Sequence, residues 1–73
     1  MSPAEQKALL LMSECDHYGE PAGLSVAELL RWHIQQATAS LDWFERGRRP
    51  AYDAAIAQTK DWLDAANKVL AEL

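Results

Sequence analysis

A four-residue link, GRRP at residues 47–50, separates two long stretches in which apolar side chains recur every three or four positions. This spacing places the apolar side chains on one face of an α-helix. Before the link the face contains Leu30, Ile34, Ala37, Leu41 and Phe44, and after it Tyr52, Ile56, Thr59, Leu63, Ala66, Leu70 and Leu73. Two helices joined by so short a link bury both faces only by folding back on each other. The sequence therefore predicts a long antiparallel helical hairpin.

Helix-capping signals mark the ends of the two hairpin helices. Ser25 and Glu28 form the Ser-x-x-Glu pattern of a capping box, so the second helix of the chain should begin there and continue to about Arg46. Gly47 is expected to close this helix in the left-handed conformation. Pro50 suits the first turn of the third helix, because that position needs no backbone donor.

A shorter helix is expected before the hairpin. The segment SPAE at residues 2–5 repeats the capping-box pattern, and the first helix should run from there to about Cys15. Its apolar face holds Ala4, Ala8, Leu11, Met12 and Cys15. The segment at residues 16–23, rich in glycine and proline, is typical of a turn. We predict one all-α domain over residues 1–73, with the first helix packed on the hairpin of helices two and three.

The composition limits the function of this 73-residue chain. Seven basic and eleven acidic residues give a net charge of −4, which opposes extended electrostatic contact with nucleic acid or an anionic membrane. The longest apolar run, at residues 8–12, is far shorter than the roughly 20 residues of a membrane span. The single cysteine, Cys15, cannot form an internal disulfide, and no secretion signal opens the sequence. We expect a soluble protein of the reducing cytoplasm.

The titratable residues do not predict a reaction. The segment ECDHY at residues 14–18 places a thiol, two carboxylates and an imidazole together, but a structural zinc site needs four ligands and the only other histidine is His33. We expect Cys15 to pack in the core and His17 to lie at the end of the first helix. His33 should lie at the edge of the core with a local hydrogen-bond partner, or be pH-sensitive if a carboxylate approaches it. So short a chain has little room for a pocket, and the sequence predicts no catalytic residue, metal ligand or cofactor.

The second helix carries more apolar surface than the third can cover. A second strip, well rotated from the hairpin face, contains Leu29, Trp32, Ala39 and Trp43. A core of this size rarely supplies more than roughly 3 to 5 kcal/mol of net stability, so the first helix and an identical subunit are expected to cover the strip. The alternative is that the strip binds a different protein.

Arginines concentrate at the hairpin link. Arg46 belongs to the last turn of the second helix, where a cation offsets the helix dipole. Arg48 and Arg49 lie beyond it. They either only complete the turn between the helices or offer planar recognition of a carboxylate, with Trp43 and Tyr52 close enough in sequence to flank them. Arginine beside aromatic residues is typical of binding hot spots.

The predicted function is therefore binding rather than catalysis. We expect a small adaptor, inhibitor or regulatory subunit that contacts a protein partner through Arg48, Arg49, Trp43, Trp32, Leu29 and Tyr52 and that forms a homodimer. The alternative is a small DNA-binding or transcription-regulatory protein that uses the turn at residues 46–49. That alternative is weaker, because the third helix has no basic residue before Lys60.

Overall fold

The computed structural model describes residues 1–73 and contains three α-helices. They are α1 (Pro3–Met12), α2 (Val26–Arg46) and α3 (Asp53–Glu72), with a short 3₁₀ turn (Pro50–Tyr52) leading into α3. α2 and α3 pack along each other, and α1 packs on both. The molecule is elongated, with extents of 41 × 23 × 16 Å. The predicted all-α fold, a hairpin with a shorter N-terminal helix packed on it, is confirmed.

Both predicted capping boxes are present. Ser2 Oγ accepts the Glu5 amide at 3.1 Å, and Glu5 Oε1 accepts the Ser2 amide at 3.0 Å. Ser25 and Glu28 repeat the exchange at 3.2 and 3.1 Å. Each box gives partners to amides that the first turn of a helix leaves unpaired, a contribution of about 1 kcal/mol per cap. These contacts fix where α1 and α2 begin.

The first helix is shorter than expected. α1 ends at Met12, and the predicted end near Cys15 is wrong. The amides of Glu14 and Cys15 bond to carbonyls three residues earlier, at 3.3 and 3.0 Å, so the chain tightens beyond the helix. The indole of Trp62, on α3, donates to the Leu11 carbonyl at 2.9 Å. The apolar spacing continues to Cys15, but the end of α1 is in contact with Trp62 of α3 and the helix does not continue.

The turn between α2 and α3 differs from the predicted one. Gly47 has φ −91° and ψ 25°, so the expected left-handed conformation is wrong. The chain is redirected instead by Arg49, which is extended (φ −137°, ψ 153°) as the residue before Pro50 must be. Positive φ angles occur only at Gly19 (76°) and Gly23 (79°), in the loop between α1 and α2.

The core lies at the open end of the hairpin, where α1 crosses it. One cluster of buried side chains joins the three helices: Ala8, Met12, Leu30, Ala66 and Val69. Leu10 is 71% exposed, as its position outside the predicted face of α1 requires. No helix has both the length and the apolar character needed to cross a membrane. The opposite end of the hairpin, around the link, projects away from this core.

Candidate interaction surface at the hairpin tip

Three aromatic rings meet at the end of the hairpin opposite α1. The link folds Tyr52 back onto α2, where its ring centroid lies 5.5 Å from that of Trp43 and 5.1 Å from that of Phe44. The rings of Trp43 and Phe44 are themselves 5.3 Å apart and nearly perpendicular, at 76°. Edge-to-face contacts of this kind are worth about 0.5 to 1.5 kcal/mol beyond the area they bury. The cluster therefore holds the tip of the hairpin together.

Trp43 is the part of this cluster that faces solvent. It is 62% exposed, whereas Phe44 and Tyr52 are half-buried. Gly47 lies near the Tyr52 ring, and an added Cβ there would sit 3.8 Å from Cε2. The indole of Trp43 is thus fixed from one side by aromatic contacts and left open on the other.

The arginines of the link divide into one paired and two unpaired residues. Arg46 Nη2 lies 2.8 Å from Asp42 Oδ2, one helical turn earlier. Arg49 places its guanidinium carbon 5.9 Å from the centroid of the Tyr52 ring, within the range of a cation–π contact. Arg48 and Arg49 are exposed and neither forms an ion pair. We call Trp43, Arg48, Arg49 and Tyr52 the tip patch.

The acidic residues near the link do not neutralise the tip patch. Asp42 is engaged by Arg46, and Glu45 Oε2 lies 3.9 Å from Lys60 Nζ on α3. Asp53 is the first residue of α3, where the helix dipole favours a negative charge. The tip patch therefore offers positive charge to a partner, although the whole chain is acidic.

The remaining two predicted site residues lie elsewhere. Leu29 packs against the core cluster, and Trp32 is half-buried with its ring 4.9 Å from that of His33. Leu29 precedes Trp43 by fourteen residues, which is about 21 Å along a helix. The second apolar strip of α2 is thus divided into a partly covered half near α1 and an exposed half at the tip.

An open groove of about 880 Å³ runs between α2 and α3 and is lined by residues that include Cys15, His33 and Trp62. The groove is open to solvent, so the expectation that the chain has little room for a pocket stays a prediction. Cys15 is nevertheless a poor nucleophile, because burial, with a smaller effect of Glu14, raises the pKa of its thiol. Its Sγ donates to the Leu11 carbonyl at 3.8 Å.

The two histidines meet at one carboxylate. His17 Nδ1 lies 2.6 Å and His33 Nε2 2.7 Å from Glu20 Oε2. Two hydrogen bonds lower the pKa of Glu20, the one from His17 having the larger effect and the one from His33 the smaller. The ionised carboxylate accepts a hydrogen bond from each ring. His17 lies beyond α1 and does not cap it, and His33 is only 2% exposed rather than at the core edge. The partner of His33 is the Glu20 carboxylate, thirteen residues away. The approach of a carboxylate was the condition under which we expected His33 to be pH-sensitive.

Comparison of the chain with known protein families, with curated proteins and with solved structures found no match. The arguments about function below therefore rest on the geometry of the tip patch and of the His17, Glu20 and His33 cluster.

Proposed function

We propose that this protein binds another protein through the tip patch, acting as an adaptor, inhibitor or regulatory subunit without catalysing a reaction. The observation that carries the proposal is the 62% exposure of Trp43 at the end of the hairpin whose link holds two arginines without an acidic partner in the chain. Tryptophan and arginine are the residues most enriched in binding hot spots. A guanidinium pairs most strongly with a carboxylate, so the partner surface is acidic. A cytoplasmic location stays a prediction.

The exposed indole is large enough to anchor such a complex. An aromatic side chain buries about 150 to 250 Å², and about 25 cal/mol is gained for each Å² of apolar surface removed from water. Covering the 62% of Trp43 that is exposed would then supply about 2 to 4 kcal/mol before ordering costs are subtracted. This is the range measured for single hot-spot residues.

Three of the four tip-patch side chains have contacts within the chain before any partner binds. Trp43 and Tyr52 are held by ring contacts, and Arg49 is placed over the Tyr52 ring. Side chains that are already restricted lose less conformational entropy on binding, a saving of about 0.5 to 1.5 kcal/mol per side chain. The preorganised tip thus favours a partner that meets it as a rigid surface.

The predicted homodimer competes with this proposal for the same tryptophan. Leu29 and Trp32 are already partly covered within one chain, so a symmetric interface along the strip would depend mainly on Trp43. A homodimer through Leu29, Trp32 and Trp43 therefore stays a prediction. Light scattering at micromolar concentration tests it, because a dimer doubles the 8.2 kDa mass of the chain.

The test of the proposed function is a comparison of variants in an affinity capture from the source cells. The tip variants are Trp43→Ala and the double reversal of Arg48 and Arg49 to glutamate. The matched control is Arg31→Glu, which reverses an exposed arginine on α2 that likewise forms no ion pair. The proposal predicts a protein retained by the wild type and by Arg31→Glu and lost with both tip variants.

Two results would oppose the proposal. If the tip variants retain the same proteins as the wild type, the tip patch is not the binding surface. If the retained material is polynucleotide and its affinity falls log-linearly with salt, the DNA-binding alternative is correct. An acidic protein partner should instead respond to salt mainly through a slower association rate.

A further inference from the structure

We propose that His17, Glu20 and His33 form a binding site for one Zn²⁺ ion, which ties the loop between α1 and α2 to α2. One donor atom from each residue lies within 4.8 Å of the other two. Two imidazole nitrogens and a carboxylate oxygen are a donor set that zinc accepts, with the fourth tetrahedral position left to water. The sequence predicted no metal ligand because a structural zinc site needs four ligands and nothing in the sequence placed His33 near His17.

The backbone of the loop brings two of the ligands to the same side. The Glu20 amide donates to the His17 carbonyl at 3.1 Å, which closes a turn over residues 17–20. Gly19, at φ 76°, takes the left-handed conformation within it. Asp16 Oδ1 accepts the Tyr18 amide at 2.9 Å and fixes the entry to the turn. The side chains of His17 and Glu20 are therefore paired by local structure.

The third ligand comes from the rigid part of the molecule. His33 lies in the second turn of α2 and is 2% exposed. Its ring centroid is 5.3 Å from that of His17, with the planes at 77°. A buried ring that cannot turn away is the fixed point of the cluster, while His17 has half of its side chain in solvent. The loop can thus adjust to the ion without disturbing α2.

The donor atoms must shift to admit zinc. Glu20 Oε2 lies 2.6 and 2.7 Å from the two ring nitrogens. Around a tetrahedral ion with bonds of about 2.0 to 2.1 Å, neighbouring donor atoms lie about 3.3 Å apart. The carboxylate must therefore withdraw by about 0.7 Å, and the two ring nitrogens, as much as 4.8 Å apart, must approach each other by up to about 1.5 Å, a movement that falls on the loop residue His17. The nitrogen of each ring that now donates a hydrogen bond to Glu20 must instead offer its lone pair to zinc. Zinc therefore competes with protons for these nitrogens, and binding should weaken at low pH.

Three protein ligands and a water are not the closed four-ligand set of the usual structural zinc site, but the small core gives this ion a stabilising role. Only seven of the 73 residues are buried, and chains of this size commonly add a metal or a disulfide to a limited core. The loop before α2 contributes none of the buried apolar side chains. An ion held by His17, Glu20 and His33 would attach it to the helix, so folding and zinc binding should be coupled.

The experiment is a calorimetric titration of metal-free protein with ZnCl₂ at neutral pH, together with thermal unfolding with and without the ion. We expect saturation at one ion per chain and a higher Tm with zinc. His17→Ala and Glu20→Gln should each weaken binding at least about tenfold, the loss already typical for groups that only support a ligand. His33 is left intact because its burial makes a substitution a test of folding instead.

Two neighbouring side chains provide matched controls. Cys15→Ser removes the only thiol and Glu14→Gln removes an exposed carboxylate of the same loop, and both should bind zinc as the wild type does. The metal-free His17→Ala and Glu20→Gln variants should keep the helical circular dichroism of the wild type. Co²⁺ bound in place of zinc should show the strong visible absorption of a four-coordinate site.

The proposal is overturned if no zinc binds, or if binding survives both His17→Ala and Glu20→Gln. It is also overturned if Cys15→Ser abolishes binding, because the thiol would then be the ligand. A Co²⁺ spectrum of a six-coordinate ion would reject the stated geometry. The failure of the zinc site leaves the proposed protein binding untouched, since the tip patch lies at the other end of the hairpin.

Discussion

Replacing Trp62 with phenylalanine should destabilise the fold by detaching α1 from α3. The indole donates to the Leu11 carbonyl at 2.9 Å across 51 residues of sequence. It also packs, half-buried, against the core cluster that holds Ala8 and Met12 of α1. Phenylalanine keeps an aromatic ring but loses the donor and part of the contact area. The substitution therefore tests whether this contact fixes the end of α1.

The expected loss of stability is about 2 kcal/mol. A hydrogen bond in a folded protein contributes about 0.5 to 1.5 kcal/mol net. The Leu11 carbonyl keeps the Glu14 amide at 3.3 Å, so it is not left unpaired. The smaller ring forfeits about 1 kcal/mol of packing, at the low end for large-to-small changes. In a domain whose net stability is roughly 3 to 5 kcal/mol this is a large fraction.

Thermal unfolding followed by circular dichroism measures the effect. A domain of 60 to 100 residues loses about 4 to 8 °C of Tm per kcal/mol, so Trp62→Phe should melt about 8 to 16 °C below the wild type. Trp43→Phe is the matched control, because that indole is 62% exposed and forms no hydrogen bond. It should change stability by no more than about 0.5 kcal/mol. Equal melting of Trp62→Phe and wild type would refute the role given to Trp62.

Four further substitutions test the helix ends and the loop between α1 and α2. Gly47→Ala should be neutral or stabilise the fold by about 0.4 to 1 kcal/mol, since the φ of Gly47 is −91° and the added Cβ makes only ordinary contacts. Gly19→Ala should instead cost about 1 kcal/mol, because Gly19 has φ 76°. The opposite order of stabilities in denaturant unfolding would contradict this. Arg46→Ala should cost a few tenths to about 1 kcal/mol and leave partner binding intact. Hydrogen bonding by the Ser25 amide and hydroxyl lowers the pKa of Glu28, so its carboxylate stabilises the fold above the unfolded-state pKa of about 4.3 and stops doing so as the pH falls through the lower folded pKa. Glu28→Gln should thus lose less stability than wild type from about pH 6 to about pH 3, and parallel losses would argue against the capping box.

The features that sequence predicted best are those set by neighbouring residues. Ser25 and Glu28 are three residues apart, and their exchange of hydrogen bonds depends only on one helical turn. The start of α2 could therefore be predicted from the sequence. The apolar spacing likewise identified the hairpin. The apolar spacing did not predict a helix end that depends on a distant residue. α1 stops at Met12 because the indole of Trp62 donates a hydrogen bond to the Leu11 carbonyl.

The candidate sites show the same division. The tip patch combines residues on both sides of a short link, so the proximity of Trp43 and Tyr52 could be expected from the hairpin alone. The contact between His33 and Glu20 could not, because it depends on the path of a loop with two glycines at positive φ. Only the turn at residues 17–20 could have indicated the cluster from the sequence, since a turn there places the side chains of His17 and Glu20 on the same side of the loop.

The most direct test of the proposed function is photo-crosslinking from the tip in the source cells. A benzophenone side chain in place of Trp43 keeps a large aromatic group at this position, unlike alanine, and should form an adduct between this 8.2 kDa chain and a different protein. The same probe at Leu10, which is 71% exposed on α1, controls for contacts made by any exposed apolar side chain. We predict an adduct specific to position 43 that disappears when Arg48 and Arg49 are both reversed to glutamate. No adduct at position 43, an adduct with a second copy of the chain alone, or one that survives the double reversal would contradict recognition of an acidic protein partner by the tip patch.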